Sequence, residues 1–260
     1  MEIIVFLKMV PDVVEELVIA EDSRSLDTQW LRMKLSDPDE HALEEAIILK
    51  EKHGGTVTVI AMEAPEVEEV LFTAIARGAD RAVKLPGDWT GLQGPAIAKL
   101  FASYFSLADR QLGSEALILL GSQAIDDLEG EVAPYLAEIL GAAHVGVVTG
   151  VRLDGKKAIV MKEFAGGLRG EFELPLPAVL GIQAAEKPPR YVPVAKVRSI
   201  MKSTRIDTVE VSPPEIPAGL SIDRLFVPEA AGKAEMLEGP PETVVARIVE
   251  LLTERGLIGR

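Results

Sequence analysis

Alternation of short apolar runs with helical patterns constrains this chain more than any other feature. Ile3 to Leu7 is continuously apolar, as a strand buried on both faces must be. Thr56 to Met62, Arg81 to Leu85 and Ala116 to Leu120 are runs of similar length. The segments between them carry apolar residues at helical spacing. After the first strand, Asp37-Pro38-Asp39-Glu40 opens a helix: Asp37 is the expected cap, Pro38 suits the first helical position, and Glu40 stands where a capping-box partner would. That helix runs through Leu43, Ala46 and Leu49 to the Gly54-Gly55 stop. Pro65 introduces a second, with Val67, Val70, Leu71 and Ala74 on one face, ended by Gly78. Pro95 starts a third, and Val132, Leu136, Ile139 and Leu140 mark a fourth. Repeated strand–helix units of this size predict an α/β fold: a mostly parallel, doubly wound sheet with helices on both faces.

After Gly141 the rhythm changes. Val145 to Leu153, Lys157 to Glu163 and Gly170 to Leu174 read as strands joined by turns at Asp154-Gly155 and Gly166-Gly167. This is an antiparallel annex, closed by the apolar run Pro177 to Gly181. From Glu186 onward proline and charge are frequent, and an amphipathic helix with Val244, Val245, Ile248, Leu251 and Leu252 closes the chain. The expected division is a nucleotide-binding domain with its annex over residues 1–185 and a partner-binding arm over 186–260. A long, weakly periodic segment suits an arm packed on a partner better than free coil.

Composition narrows the functions. A net charge of −14 over 260 residues argues against nucleic acid and anionic membrane surfaces, which need clustered Lys and Arg. The chain has no cysteine, so disulfides, thiolate metal sites and thiol nucleophiles are excluded. No apolar run approaches the roughly 20 residues that span a bilayer. The sequence opens on an apolar strand without a basic leader, so a cytoplasmic location without membrane insertion is expected. His41, His53 and His144 share no ligand spacing and are expected at the surface or in caps; no metal or catalytic residue is assigned.

In an open parallel sheet, ligands bind past the carboxyl ends of the strands. The loops of interest are therefore Lys8 to Asp12, Glu63 to Pro65, Leu85 to Trp89 and above all Gly121 to Pro134, which leads from a strand into a helix N-terminus. That loop is rich in carboxylates, which would repel a bare triphosphate unless they face away. No G-x-G-x-x-G follows the first strand and no Walker-type glycine loop occurs, which disfavours a dinucleotide dehydrogenase or a P-loop ATPase. Asp126-Asp127 lacks a nearby third metal ligand.

Five ordered segments resemble the β subunits of electron-transfer flavoproteins. Gly121-Ser122-Gln123-Ala124-Ile125-Asp126 is similar to the family's G-x-Q-A-I-D nucleotide loop. Val5 to Asp12 resembles its first strand with the V-K-x-V-x-D continuation, and Asp37 to Ala46 resembles its first helix start. Ala74 to Arg81 resembles an A-L-A-M-G-A-D-R segment, and Pro189-Arg190-Tyr191 with Ile200-Met201-Lys202 resembles the P-R-Y…I-M-K stretch. The similarity spans roughly residues 3 to 210. It implies an adenine-nucleotide-hydrolase-like fold and a heterodimer with an α subunit that carries the redox-active FAD. It also implies AMP in the β cavity, or a second FAD in electron-bifurcating members, and a docking loop for a flavin dehydrogenase.

By position, the ligand-facing candidates are Leu7, Asp37, Ala64, Gly121, Gln123, Asp126, Gly130, Glu131 and Val132. The dehydrogenase contacts fall on Val194, Val197, Ile200 and Met201. The chain departs from the family pattern in several places. Asp37 replaces the usual Asn before proline, and Glu129-Gly130-Glu131 replaces a polar AMP-type segment. The Val132-x-Pro134 ending is closer to the bifurcating pattern, whereas Glu129 stands where that pattern has Thr. Ala165 replaces an acidic residue, and Val192 to Ser199 lengthens the docking stretch. The expected role is an electron-carrier subunit without a bond-making site of its own. The alternatives are a bifurcating β subunit and, in another class, a stand-alone nucleotide-binding stress-type protein.

Overall fold

A computed structural model of the chain describes residues 1–127, 129–214, 222–228, 234 and 236–259. Leu128, in the expected nucleotide loop, and several residues of the expected arm lie outside the described residues.

The elements follow the alternating pattern. The first half comprises β1 (Glu2–Leu7), the short strands β2 (Met9–Pro11) and β3 (Met33–Leu35), α1 (Asp37–His53), β4 (Thr56–Met62), α2 (Val67–Arg77), β5 (Arg81–Leu85), α3 (Gly94–Phe105), β6 (Ala116–Gly121) and α4 (Val132–Leu140). The second half comprises β7 (Ala143–Asp154), β8 (Lys157–Glu163), β9 (Arg169–Pro175), β10 (Ala178–Ile182), α5 (Val194–Ser203), β11 (Asp207–Thr208) and α6 (Pro241–Glu254).

Among the described residues a nine-stranded sheet has the order β11-β5-β4-β1-β6-β10-β7-β8-β9. From β11 to β7 every neighbour pair is parallel; β8 and β9 add antiparallel to the far edge. The expected annex therefore differs in one respect. β10, the run expected to close it, inserts between β6 and β7 and pairs parallel with both. A strand buried on both sides is what the unbroken apolar sequence Ala178-Val179-Leu180 requires.

Period-2 geometry divides the core into two layers. On one face Ile3, Val5 and Leu7 of β1 join Val57, Val59 and the apolar sides of α1 and α2. On the other, Ile4 and Phe6 meet Ile60, Val83, α3 and α4. Phe6 stacks on Phe101 at 4.0 Å between ring centroids, with the planes 21° apart. Helices therefore cover both faces, as expected.

Local capping corrects the expected helix starts. Ser36, not Asp37, stands at the N-cap of α1, and it makes no side-chain cap; Asp37 is the first helical residue. Glu40 turns away to pair with Arg77 instead of closing a capping box. The second helix begins at Val67, with Glu66 left-handed before it, and not at Pro65. The stretch after Glu186, read as weakly periodic, contains α5, which packs on α2, and β11, which extends the sheet beyond β5.

Residues 186–190 are fastened to α1 by carboxylates. Glu45, fully buried, accepts the backbone N–H of Val151 at 3.0 Å and of Glu186 at 2.8 Å. Arg190 bridges Glu44 and Glu51 from above, with contacts of 2.9 and 2.6 Å. Removing the Glu45 carboxylate would leave the buried N–H of Val151 and the part-buried N–H of Glu186 without acceptors, a loss of about 2–4 kcal/mol. Glu45→Ala is accordingly expected to lower the urea midpoint by that margin, with Glu45→Gln losing less. A midpoint shift under about 0.5 kcal/mol for Glu45→Ala would remove this role from the residue.

Candidate functional site

The strand order reverses between β1 and β6. From β1 the chain moves through α1 to β4 and β5 on one side, then returns through α3 to β6 on the other. Ligand crevices form at such a point, past the strands' carboxyl ends. Pairing between β1 and β6 ends at Val5 opposite Leu119, and beyond it the two backbones diverge.

One carboxylate fills the gap. Asp39, in the first turn of α1 and buried, accepts the backbone N–H of Lys8 at 3.0 Å and of Gly121 at 2.5 Å. The approach is so close that only glycine fits at 121. A Cβ there would stand 2.8 Å from Pro38 and 2.9 Å from the Asp39 backbone nitrogen. Burial pushes the Asp39 carboxyl up to about 7, against the two backbone N–H groups and the charge of Lys8, which pull it down.

Lys8 carries the geometry into the loop. Its ammonium lies 2.7 Å from both Asp126 and Asp127. Burial opposes that charge, but the nearby Asp127 and Asp126 outweigh it and hold the lysine above its usual value. The second oxygen of Asp127 accepts the backbone N–H of Ala124 at 3.2 Å, closing a tight turn. Gly130 has φ +66°, and a Cβ on it would meet the Ser122 carbonyl oxygen at 2.6 Å, so glycine is required where the loop doubles back.

Above this braced floor lies an open cleft of about 430 Å³. Its walls come from the β2–β3 hairpin, the start of α1, the loop after β6 and Gln183 after β10. Val10, Val13 and Ile125 give it apolar surface, and Asp37, Gln123 and Gln183 give it polar groups. Gln183 accepts a hydrogen bond from the Ser122 hydroxyl at 2.7 Å through its amide oxygen. Ser36 also lines the cleft, and its buried hydroxyl has no partner. A buried hydroxyl without a partner is costly unless something from outside completes it. The cleft's lysine, Lys34, stands 3.0 Å from Asp37. Below the cleft, a recess of only about 20 Å³ is closed in by Phe6, Phe101, Lys8 and Asp39.

This arrangement is accompanied by clear sequence kinship. The model of the electron transfer flavoprotein domain matches residues 25–215, most of the chain. The chain belongs to the electron transfer flavoprotein family. It is 29% identical over 259 residues to the electron transfer flavoprotein subunit beta of Bacillus subtilis (strain 168), covering 97% of each. It is 30% identical over 267 residues to the corresponding subunit of Clostridium acetobutylicum, covering 99% of this chain and all of that one. It is also 29% identical over 269 residues to the caffeyl-CoA reductase-Etf complex subunit CarD of Acetobacterium woodii, covering 99% and 100%. A role in electron transfer follows from this membership, and the α/β sheet agrees with the fold expected for the family.

Of the residues expected to face a ligand, Asp37 and Gln123 line the cleft, and Asp126 sits beside it on Lys8. Gly121 and Val132 border the small recess instead. Leu7 is buried in the core, and Ala64 packs against the same layer. Gly130 and Glu131 lead into α4, with Glu131 packed beside Gly94. On α5, Val194 and Met201 are exposed, Ile200 is half-buried and Val197 faces the body. Sequence reasoning missed Ser36, Lys34, Asp39 and Gln183. Position after the first strand marked Lys8's loop, and an acid in the first helical turn hinted at Asp39; Lys34 and Gln183 give no local signal. Among the described residues no cluster of three metal-ligating side chains occurs, and no helix is long and apolar enough to cross a membrane.

Asp39 makes stability depend on pH. Its folded value lies above the ordinary carboxyl value of the unfolded chain, so between about pH 4 and about pH 7 the folded state holds the extra proton. The stability from this group is therefore fully present at low pH and declines as pH rises through about 7. Urea unfolding of wild type and Asp39→Asn at about pH 5 and about pH 8 should show wild type losing ground to the variant as pH rises. A difference that grows in the opposite direction would contradict this assignment.

Proposed function

We propose that the chain is the β subunit of a heterodimeric electron-transfer flavoprotein and binds an adenine nucleotide, AMP in the simplest case, in the cleft at the β1–β6 reversal. The observation that carries the reading is the unpartnered, buried Ser36 hydroxyl beside a cleft of about 430 Å³ with apolar walls and amide side chains. That size and lining suit a small organic ligand. A planar base can lie against Val10, Val13 and Ile125, while its polar edge or a ribose hydroxyl meets Ser36, Gln123 or Gln183. The adenosine part thus fits the residues present.

In this proposal an α subunit partner carries the redox-active FAD, which accepts electrons from a flavin dehydrogenase and passes them onward. The β chain holds the nucleotide, supports the shared interface and offers a docking surface on α5, where Val194 and Met201 are exposed. A short helix at the surface suits a transient partner. The similarity to a subunit of a caffeyl-CoA reductase complex makes an acyl-CoA-type dehydrogenase or reductase the class of partner to test. Function inside the cytoplasm is part of the same proposal.

A second reading, a bifurcating subunit with FAD in place of AMP, draws on the Val132-x-Pro134 sequence, which forms the first turn of α4 beside the cleft loop. The two readings separate on cofactor content. The chain would be co-expressed with its α subunit, the complex denatured, and released FAD and AMP quantified by chromatography. About one FAD and one AMP per heterodimer is expected. About two FAD and no AMP would establish the second reading, and a single FAD with no other nucleotide would overturn both.

A further inference from the structure

We infer that the cleft selects the nucleoside part of its ligand and gives phosphate no favourable place, because the chain's own carboxylates already hold the cations that a phosphate would need. The inference rests on the cleft being the nucleotide site proposed above, and adds which portion of the ligand provides the affinity.

Among the described residues one lysine lines the cleft and a second lies just behind it. Lys34 lies on the cleft wall, 3.0 Å from Asp37. Lys8 borders the small recess and not the cleft, and lies 2.7 Å from both Asp126 and Asp127, of which Asp127 lines the cleft; the lysine and Asp127 side chains are only 14% and 11% exposed. Three carboxylates thus face two ammonium groups, and the buried Asp39 adds a further acid behind Lys8. A phosphate placed here would meet cations already neutralised and would approach at least one carboxylate within a few ångströms. Across a partly buried surface that repulsion is worth a substantial fraction of a binding free energy.

The small recess behind Lys8 gives no way around this. At about 20 Å³ it holds one water at most, and Phe6 and Phe101 close it. The uncharged groups point the other way. Ser36 has a buried hydroxyl without a partner, independent of the acidic cluster and lining the same cleft. Gln183 has its amide oxygen engaged by Ser122, which leaves the amide nitrogen as a donor. Neutral hydrogen-bonding groups between apolar walls recognise a base and a ribose. The phosphate of a bound nucleotide is then directed outward, into solvent.

The test uses the purified heterodimer with its α subunit, dialysed free of exchangeable nucleotide, and isothermal titration with adenosine, AMP and ADP. At low salt adenosine should bind at least as tightly as AMP, and AMP more tightly than ADP. Raising the salt should narrow these gaps by screening the repulsion. Asp37→Asn, which frees Lys34, should improve AMP relative to adenosine by about three- to tenfold. Ser36→Ala should weaken both ligands alike and so locate them in the cleft. AMP binding more than about tenfold tighter than adenosine, with Ser36→Ala still weakening both, would overturn this inference and leave the nucleotide site standing. Absence of binding by all three, or binding indifferent to Ser36→Ala, would overturn the site and the inference together.

Discussion

Two diverging strands leave their last backbone N–H groups without a partner, and in this fold the Asp39 carboxylate supplies it. One oxygen takes the N–H of Lys8 at the end of β1, the other that of Gly121 at the end of β6. Hydrogen bonds to a charged acceptor contribute about 1.5–3 kcal/mol each, enough to offset much of what burying the carboxylate costs. Much of the surrounding geometry follows. The first turn of α1 must lie against the strand ends, residue 121 must lack a side chain, and Lys8 must leave the sheet toward the loop. Lys8 then fixes Asp126 and Asp127, and with them the turn that forms one wall of the cleft.

Features encoded by neighbours in sequence were legible in advance. Continuous apolar runs marked strands buried on both faces, and helical spacing marked the helices that cover them. Loop position at the carboxyl ends of β1 and β6 indicated the crevice. Features encoded by distant partners were not. Asp39 meets Gly121 from 82 positions away, and Lys8 meets Asp126 from 118. Composition marks the acidic loop as repelling a bare triphosphate unless its acids face away, whereas the folded chain neutralises two of them with Lys8, from the loop after β1. The cap of α1 was misplaced by one residue because Ser36 and Asp37 are both good capping residues. Helix α5 went unread because its ten residues mix bases with apolar residues and follow a proline-rich segment.

These engagements bear on what kind of protein this is. Asp39 and Glu45, buried carboxylates of α1, accept backbone hydrogen bonds. His41 and His144 likewise bind backbone groups, at Ala185 and Val179. Groups committed in this way hold position. An electron-transfer subunit benefits from such commitment, because the separation between redox partners depends on how rigidly the protein between them is held.

Helix α1 joins the two surfaces that such a subunit would use. Its first turn supplies Ser36 and Asp37 to the cleft and Asp39 to the strand ends. Farther along the same helix, Glu44, Glu45 and Glu51 hold residues 186–190, which lead directly into the chain that forms α5. A helix of 17 residues with its ladder intact moves as a unit. The cleft edge at Ser36 and Asp37 and the anchor of residues 186–190 are therefore held at a fixed spacing by one element. The bond from Val151 to Glu45 is buried and cannot be exchanged for water without cost. The anchor therefore stays closed on α1, and the same helix that forms the cleft edge sets where the chain leaves for α5.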